Sequence, residues 1–164
     1  MTRQRNMLAT AIAALSLGIL FYALVRQPEH VYFLPDWLPA HASSHSLLSA
    51  LGDHLPTFIH VYAFILLTMV VAAPPVSRII PICLAWFILD CLLECAQLKT
   101  IGTWIAAHTP DWFASIPFLE NTANYFLFGT FDALDLLSIA EGALAAYITI
   151  LLIMQGGLTD ENHP

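Results

Sequence analysis

This sequence predicts an all-α polytopic membrane protein. Four transmembrane helices form one domain over residues 1–164, and two long outer loops contain short interfacial helices. Two observations carry that fold class. Hydrophobic residues make up 59% of the chain and charged ones 10%, and the mean hydropathy is +0.74, far outside the soluble range. Apolar runs of membrane length recur at about 7–25, 55–73, 79–98 and 133–154. A third observation says where to look for function: acidic residues stand inside those runs as well as between them.

Thr2-Arg3-Gln4-Arg5 is a short basic start, and Met7 to Val25 follow without a charge. A secretory signal has a shorter apolar core that ends in a small-residue cleavage pattern. Here the run ends Ala23-Leu24-Val25-Arg26, so an uncleaved first span with a cytoplasmic N-terminus is expected. Residues 26–54 form the first outer loop, where Pro28, Pro35 and Pro39 alternate with aromatics suited to the headgroup level. Ser44 is placed to cap a short helix over 44–51 that Gly52 stops. His30, His41, His45 and His54 match no metal-ligand spacing and read as solvated loop residues. Asp53 then opens the second span, with Pro56 in its first turn. His60 shares a face with Asp53, seven residues back.

Pro74-Pro75-Val76-Ser77-Arg78 is a tight inner turn before the third span. Asp90, Glu94 and Gln97 follow i, i+4, i+7 spacing and line one stripe of that helix. Cys83, Cys91 and Cys95 sit in the same run, and packing explains them better than a disulfide framework or a metal pair. The second outer loop, 99–132, is crowded with Trp104, Trp112, Phe113, Phe118, Tyr125, Phe126, Phe128 and Phe131. Irregular backbone is not tolerated in hydrocarbon unless protein covers it, so short interfacial helices over the outer mouth are expected. In the fourth span, Asp135, Ser138, Glu141, Gly142, Ala145, Ala146 and Thr149 fall on one side, the pattern of a buried helix–helix face.

Arg3, Arg5 and Arg78 on one side, against Arg26 and Lys99 on the other, place both termini in the cytoplasm. The third span ends where the second and fourth begin, so their acidic ends share one membrane surface. Glu94 then lies about 7 Å below Lys99 and Asp90 about 13 Å, His60 about 10 Å below Asp53, and Glu141 about 9 Å below Asp135. An acidic cavity opening outward is the expectation. A charged side chain at the bilayer centre costs about 2.5–3.5 kcal/mol on insertion scales, so such groups are functional candidates by default. The competing account is a hydrogen-bond network that holds helices in register. Four carboxylates meeting at most His60 and Lys99 favour function: shared protons, a bound cation, or a cationic or hydroxyl-rich ligand. The formal charge of −7 excludes the basic surface that nucleic acid requires.

At these residues the chain resembles the VanZ-like family of small bacterial integral membrane proteins. The resemblance rests on Glu94-x-x-Gln97 at a helix end, then the aromatic loop, Gly129-Thr130-Phe131-Asp132-Ala133-Leu134-Asp135 and Gly142. It covers roughly 54–152 and maps the family's Glu, Gln, Asp and later Gly onto Glu94, Gln97, Asp135 and Gly142. Thr130 stands where an Arg is common, Ile139 stands where an Asn is common, and Glu141 is an addition, as in a divergent member. The resemblance implies a multi-pass protein of the bacterial cytoplasmic membrane, with envelope phenotypes such as reduced sensitivity to the glycopeptide teicoplanin. No settled biochemical activity accompanies the family.

The expected function is therefore binding of a surface lipid or envelope polymer in the acidic cavity. The candidates for holding that ligand, or protons, are Asp53, His60, Asp90, Glu94, Gln97, Asp132, Asp135 and Glu141. The alternatives are a membrane-embedded enzyme or a cation- or proton-dependent transporter using the same cluster. No HExxH, GxSxG or P-loop motif is present, and no pair of broken-helix repeats. No cofactor is expected, although the oxygen ligands could hold a divalent cation. Membrane lipids are the expected partners, and the sequence leaves the oligomeric state open.

Overall fold

The computed structural model describes residues 2–25, 46–117 and 119–159, and within them every regular element is helical. Four helices are long and apolar enough to cross a membrane: α1 (Thr2–Val25), α2 (Ser46–Ala72), α3 (Ile79–Ala96) and α6 (Ala133–Thr159). Between α3 and α6 lie α4 (Lys99–Ala107) and α5 (Thr122–Phe128), with 3₁₀ turns at Val76–Arg78 and Asp111–Ser115.

The central helix is α2, which packs against α1, α3 and α6. Its buried Val61, Ile65, Leu66 and Met69 meet Ile79 and Cys83 of α3 and Ile139, Ala143, Ala146 and Ile150 of α6. Lipid tails are as apolar as leucine, so helices in a membrane associate through close packing, which small residues permit. Among the described side chains of α1, Met7, Ala11 and Gly18 are the buried positions, and a Cβ on Gly18 would come within 3.0 Å of Ile59. On α6, Gly142 lies against the Phe58 carbonyl, where a Cβ would sit 2.6 Å from the oxygen.

The second span begins earlier than its sequence suggests. The expected short helix over 44–51, the stop at Gly52 and the fresh start at Asp53 are replaced by one helix from Ser46 to Ala72 that carries Pro56 inside it. Proline removes one intrahelical hydrogen bond, here the one to the carbonyl of Gly52, four residues back. A single lost bond does not end a helix whose next four turns are packed on three sides. The helix ends instead at Ala73, whose φ of 41° is left-handed, followed by Pro74-Pro75.

The contacts fix direction. His60 meets Asp90, while Thr68 meets Trp86, so α2 and α3 run antiparallel. His54 meets Asp135, while Tyr62 meets Thr149, so α2 and α6 run parallel. The start of α2, the end of α3 and the start of α6 therefore share one end of the bundle, as the sequence implied. The Arg78 turn marks the other.

Candidate functional site

The acidic end is built on Glu94. Residue 94 falls one turn above Asp90 on the stripe of α3 that faces α2 and α6, and both side chains are buried. The Oε1 of Glu94 accepts the backbone N–H of Asp132 at 2.8 Å, and its Oε2 accepts the Gln97 amide at 3.3 Å. Asp132 in turn caps α6: its Oδ1 accepts the N–H of Leu134 at 2.9 Å. Gln97 also donates to the Tyr125 hydroxyl at 2.9 Å, which ties α5 to the same point. Gly129 leaves room for that amide, since a Cβ there would lie 2.6 Å from Gln97 Oε1 and 2.6 Å from the Tyr125 carbonyl oxygen. One carboxylate thus joins the end of α3, the start of α6 and the segment between them.

Beside this junction, Asp135 Oδ1 lies 2.9 Å from His54 Nδ1, an ion pair when the imidazole is protonated. Asp132 and Asp135 are both close enough to act electrostatically on Glu94. Glu94, Gln97, Asp132, Asp135 and His54 therefore form one polar group.

A second, deeper pair stands apart from it. Asp90 Oδ2 is 3.4 Å from His60 Nδ1, beyond good hydrogen-bond geometry, and that oxygen is buried with no hydrogen-bond partner among the described residues. The carboxylate is buried, whereas the imidazole is 45% exposed. The His60 ring packs on Phe64 with centroids 4.4 Å apart and meets the edge of Trp86, whose indole N–H donates to Thr68 at 2.9 Å.

One sequence candidate stands outside both groups. Glu141 does not converge on the others: it is exposed on α6, between exposed Leu137 and Leu144. The polar stripe expected on that helix is too wide for one neighbour to cover. α2 buries its Ser138, Ile139, Gly142 and Ala146 side, and residue 141 lies about 100° around the helix from residue 142. Asp53 lies within α2, and its side chain is outside the described residues, as are His30, His41 and His45. Lys99 opens α4 and is exposed.

Sequence reasoning missed His54, taken as a solvated loop residue, because Gly52 and Pro56 masked the helix around it. Had α2 been extended through them, His54, Phe58 and Tyr62 would have aligned at i, i+4, i+8, facing Asp135, Gly142 and Thr149. Tyr125 was read as one aromatic of a lid, with no signal for its hydroxyl's role. Among the described residues no group of three or more His, Cys, Asp or Glu is arranged to hold a metal ion. A groove of about 400 Å³ lies away from the acidic end, between α3 and α6, lined by Cys83, Leu84, Phe87, Ala143, Leu144 and Tyr147 among others.

Compared with models of protein families, with curated proteins and with solved structures, the chain finds no match.

Proposed function

We propose that this is a VanZ-like protein of the bacterial cytoplasmic membrane that holds an envelope lipid or polymer at its acidic, outward-facing end, with an effect on glycopeptide sensitivity. One observation carries the reading. Glu94, Gln97 and Asp135, the polar residues of the resemblance, belong to one polar group with Asp132 and His54, and Gly142 sits at the α2–α6 contact beneath it. The ligand chemistry follows from charge. Three carboxylates gather there with one histidine, and Asp132 is exposed. An ammonium or hydroxyl-rich headgroup satisfies surplus carboxylate oxygens, whereas a bare phosphate is repelled. Trp104, Trp112 and Phe128, exposed on the segments beside this end, supply the amphipathic surface that such a headgroup meets at a membrane interface.

The test is native mass spectrometry of protein extracted from its membrane in mild detergent. A lipid or lipid-linked adduct is expected on the wild type and is expected to fall at least about tenfold in Asp135→Asn. Teicoplanin sensitivity should follow the adduct. Equal occupancy in both proteins, or none in the wild type, overturns the reading. The His54–Asp135 pair at 2.9 Å keeps an acid–base reading in view, because an imidazole oriented by a carboxylate is a common proton-transfer unit. Chemical alteration of the captured adduct, lost in His54→Ala, would decide for the enzyme. Stoichiometric divalent metal in elemental analysis would point to the cation-dependent alternative.

A further inference from the structure

Glu141 has no place in the acidic site, and its surroundings make that a problem the described residues do not solve. It lies about 12 Å along α6 from the helix start, within the stretch that is long and apolar enough to cross a membrane. Helical side chains lean toward the N-terminal end, which helps its carboxyl climb, but a glutamate side chain is too short to cover that distance. Residues 133–159 contain no Lys, Arg or His, and no hydrogen bond or ion pair among the described residues uses this carboxyl. A carboxyl left facing hydrocarbon is among the costliest placements in a membrane.

Its neighbours on the same face are ordered. Leu134, Leu137, Glu141, Leu144 and Ile148 are all exposed and follow 3-4-3-4 spacing, and exposed Leu152 extends the row. That is the a/d seam of a left-handed helix pair, with a polar residue at a central a position, where such residues fix register and partner number. A face meant only for lipid has no use for the acid.

We propose that α6 pairs along this seam with α6 of a second copy of this chain, Glu141 against Glu141 across a two-fold axis normal to the membrane. The occupant follows from the geometry of insertion. Two copies in one membrane enter the same way round, so their α6 helices meet parallel and every residue finds its own counterpart at its own depth. Two carboxyl groups brought together share protons and hydrogen-bond to each other, which satisfies in the dimer the group that the monomer leaves bare. A different protein would have to supply a polar group at that depth and on that register, whereas a second copy supplies both by symmetry. At Glu141 the seam lies about 100° around α6 from the Gly142 side that packs on α2, so the dimer leaves both His–Asp pairs and the Glu94 junction untouched.

The test uses the full chain with Cys83, Cys91 and Cys95 replaced by alanine. Under mild oxidation in native membranes, Leu137→Cys and Leu144→Cys each form a disulfide-linked dimer, and Leu92→Cys, exposed on α3, does not. Energy transfer between labelled copies reconstituted at rising dilution measures the dissociation constant. Glu141→Ala weakens it about 3- to 20-fold, the range that interhelical polar contacts give. Glu141→Gln, whose amides can still bond to each other, stays within about threefold. Three results overturn the proposal: no energy transfer at any dilution, Leu92→Cys linking as readily as Leu137→Cys, or Glu141→Ala associating like the wild type. Cross-links between Leu144→Cys and Phe64→Cys in a mixed sample, without self-linking at Leu144, would assign Glu141 to the His60 face of the next copy and also reject the two-fold arrangement.

Discussion

Glu94 carries two roles that substitution can separate, because one belongs to its shape and the other to its charge. Both oxygens are used, one by the Asp132 N–H and one by the Gln97 amide. Glu94→Ala takes the acceptor from the part-buried Asp132 N–H and leaves Gln97 with Tyr125 alone, and an unpaired buried donor costs about 1–3 kcal/mol. Loss of stability of about 1–3 kcal/mol is expected in unfolding from mixed micelles. Glu94→Gln keeps an oxygen for Asp132 and can re-pair with Gln97 by rotating one amide, so stability falls by about 1 kcal/mol or less. If Glu94→Gln nonetheless loses the bound adduct, the charge is functional; wild-type binding would make Glu94 a structural clasp alone. Gly129→Ala tests the same junction from the other side. Glycine there has an ordinary φ of −61°, so the cost is space alone: its new methyl meets the Gln97 amide and the Tyr125 carbonyl. A loss of about 1–3 kcal/mol is expected. Part of it should disappear when Gln97→Ala is combined with it, because one of the two collisions has been removed. Full additivity in that double-mutant cycle would mean that the two residues do not touch.

At the scale of helices, the four spans were legible in sequence because a helix in hydrocarbon must satisfy its own backbone over about 20 apolar residues, which leaves an unmistakable run. Asp90 and Glu94 were legible for a related reason: i, i+4 spacing inside such a run commits both to one face, and both are buried. The start of α2 was not legible. Gly52 and Pro56 are boundary signals in isolation, and tertiary packing overrides them here, as it often overrides local preference. The outward turn of Glu141 was hidden because seven small or polar residues define an arc wider than one packed neighbour covers. Two variants probe helix ends and contacts directly. Ala73 ends α2 at φ 41°, which an L-residue adopts at a cost of about 1–2 kcal/mol and glycine adopts freely. Ala73→Gly should raise stability by a few tenths to about 1 kcal/mol, and destabilisation would show that the turn is not left-handed. Gly142→Ala should act oppositely. Its Cβ would sit 2.6 Å from a backbone oxygen of α2 that cannot swing aside, so the helices must separate, at about 1–3 kcal/mol. The Tyr62–Thr149 bond, 3.1 Å long on the same contact, should weaken with it, so that Tyr62→Phe costs less in Gly142→Ala than in the wild type.

For the whole molecule, orientation decides whether the acidic end can meet an envelope ligand at all. The two ends differ in charge: Arg78 marks one, and Glu94, Asp111, Glu120, Asp132 and Asp135 gather toward the other, with Lys99. Gly18 of α1 meets Ile59 near the acidic end, and Met7 joins the cluster of Met69 and Ile79 toward the Arg78 turn. Arg3 and Arg5 therefore stand at the Arg78 end. We propose a cytoplasmic Arg78 end, because three arginines stand there against Lys99 at the acidic end among the described residues, the balance that the positive-inside bias favours. Acidic residues add little to that bias, so the orientation rests on these few cations and is open to a direct test. Single cysteines at Ser115 and Ser77, both exposed, in a background lacking Cys83, Cys91 and Cys95, report the two ends separately. On intact cells Ser115→Cys should react with an impermeant thiol reagent, and Ser77→Cys should react only after lysis. The reverse pattern would put the Glu94–Asp135 group on the cytoplasmic side, out of reach of any surface polymer, and the proposed ligand would fall with it. The α6 dimer would survive that reversal, because a two-fold axis along the membrane normal is indifferent to which side is out.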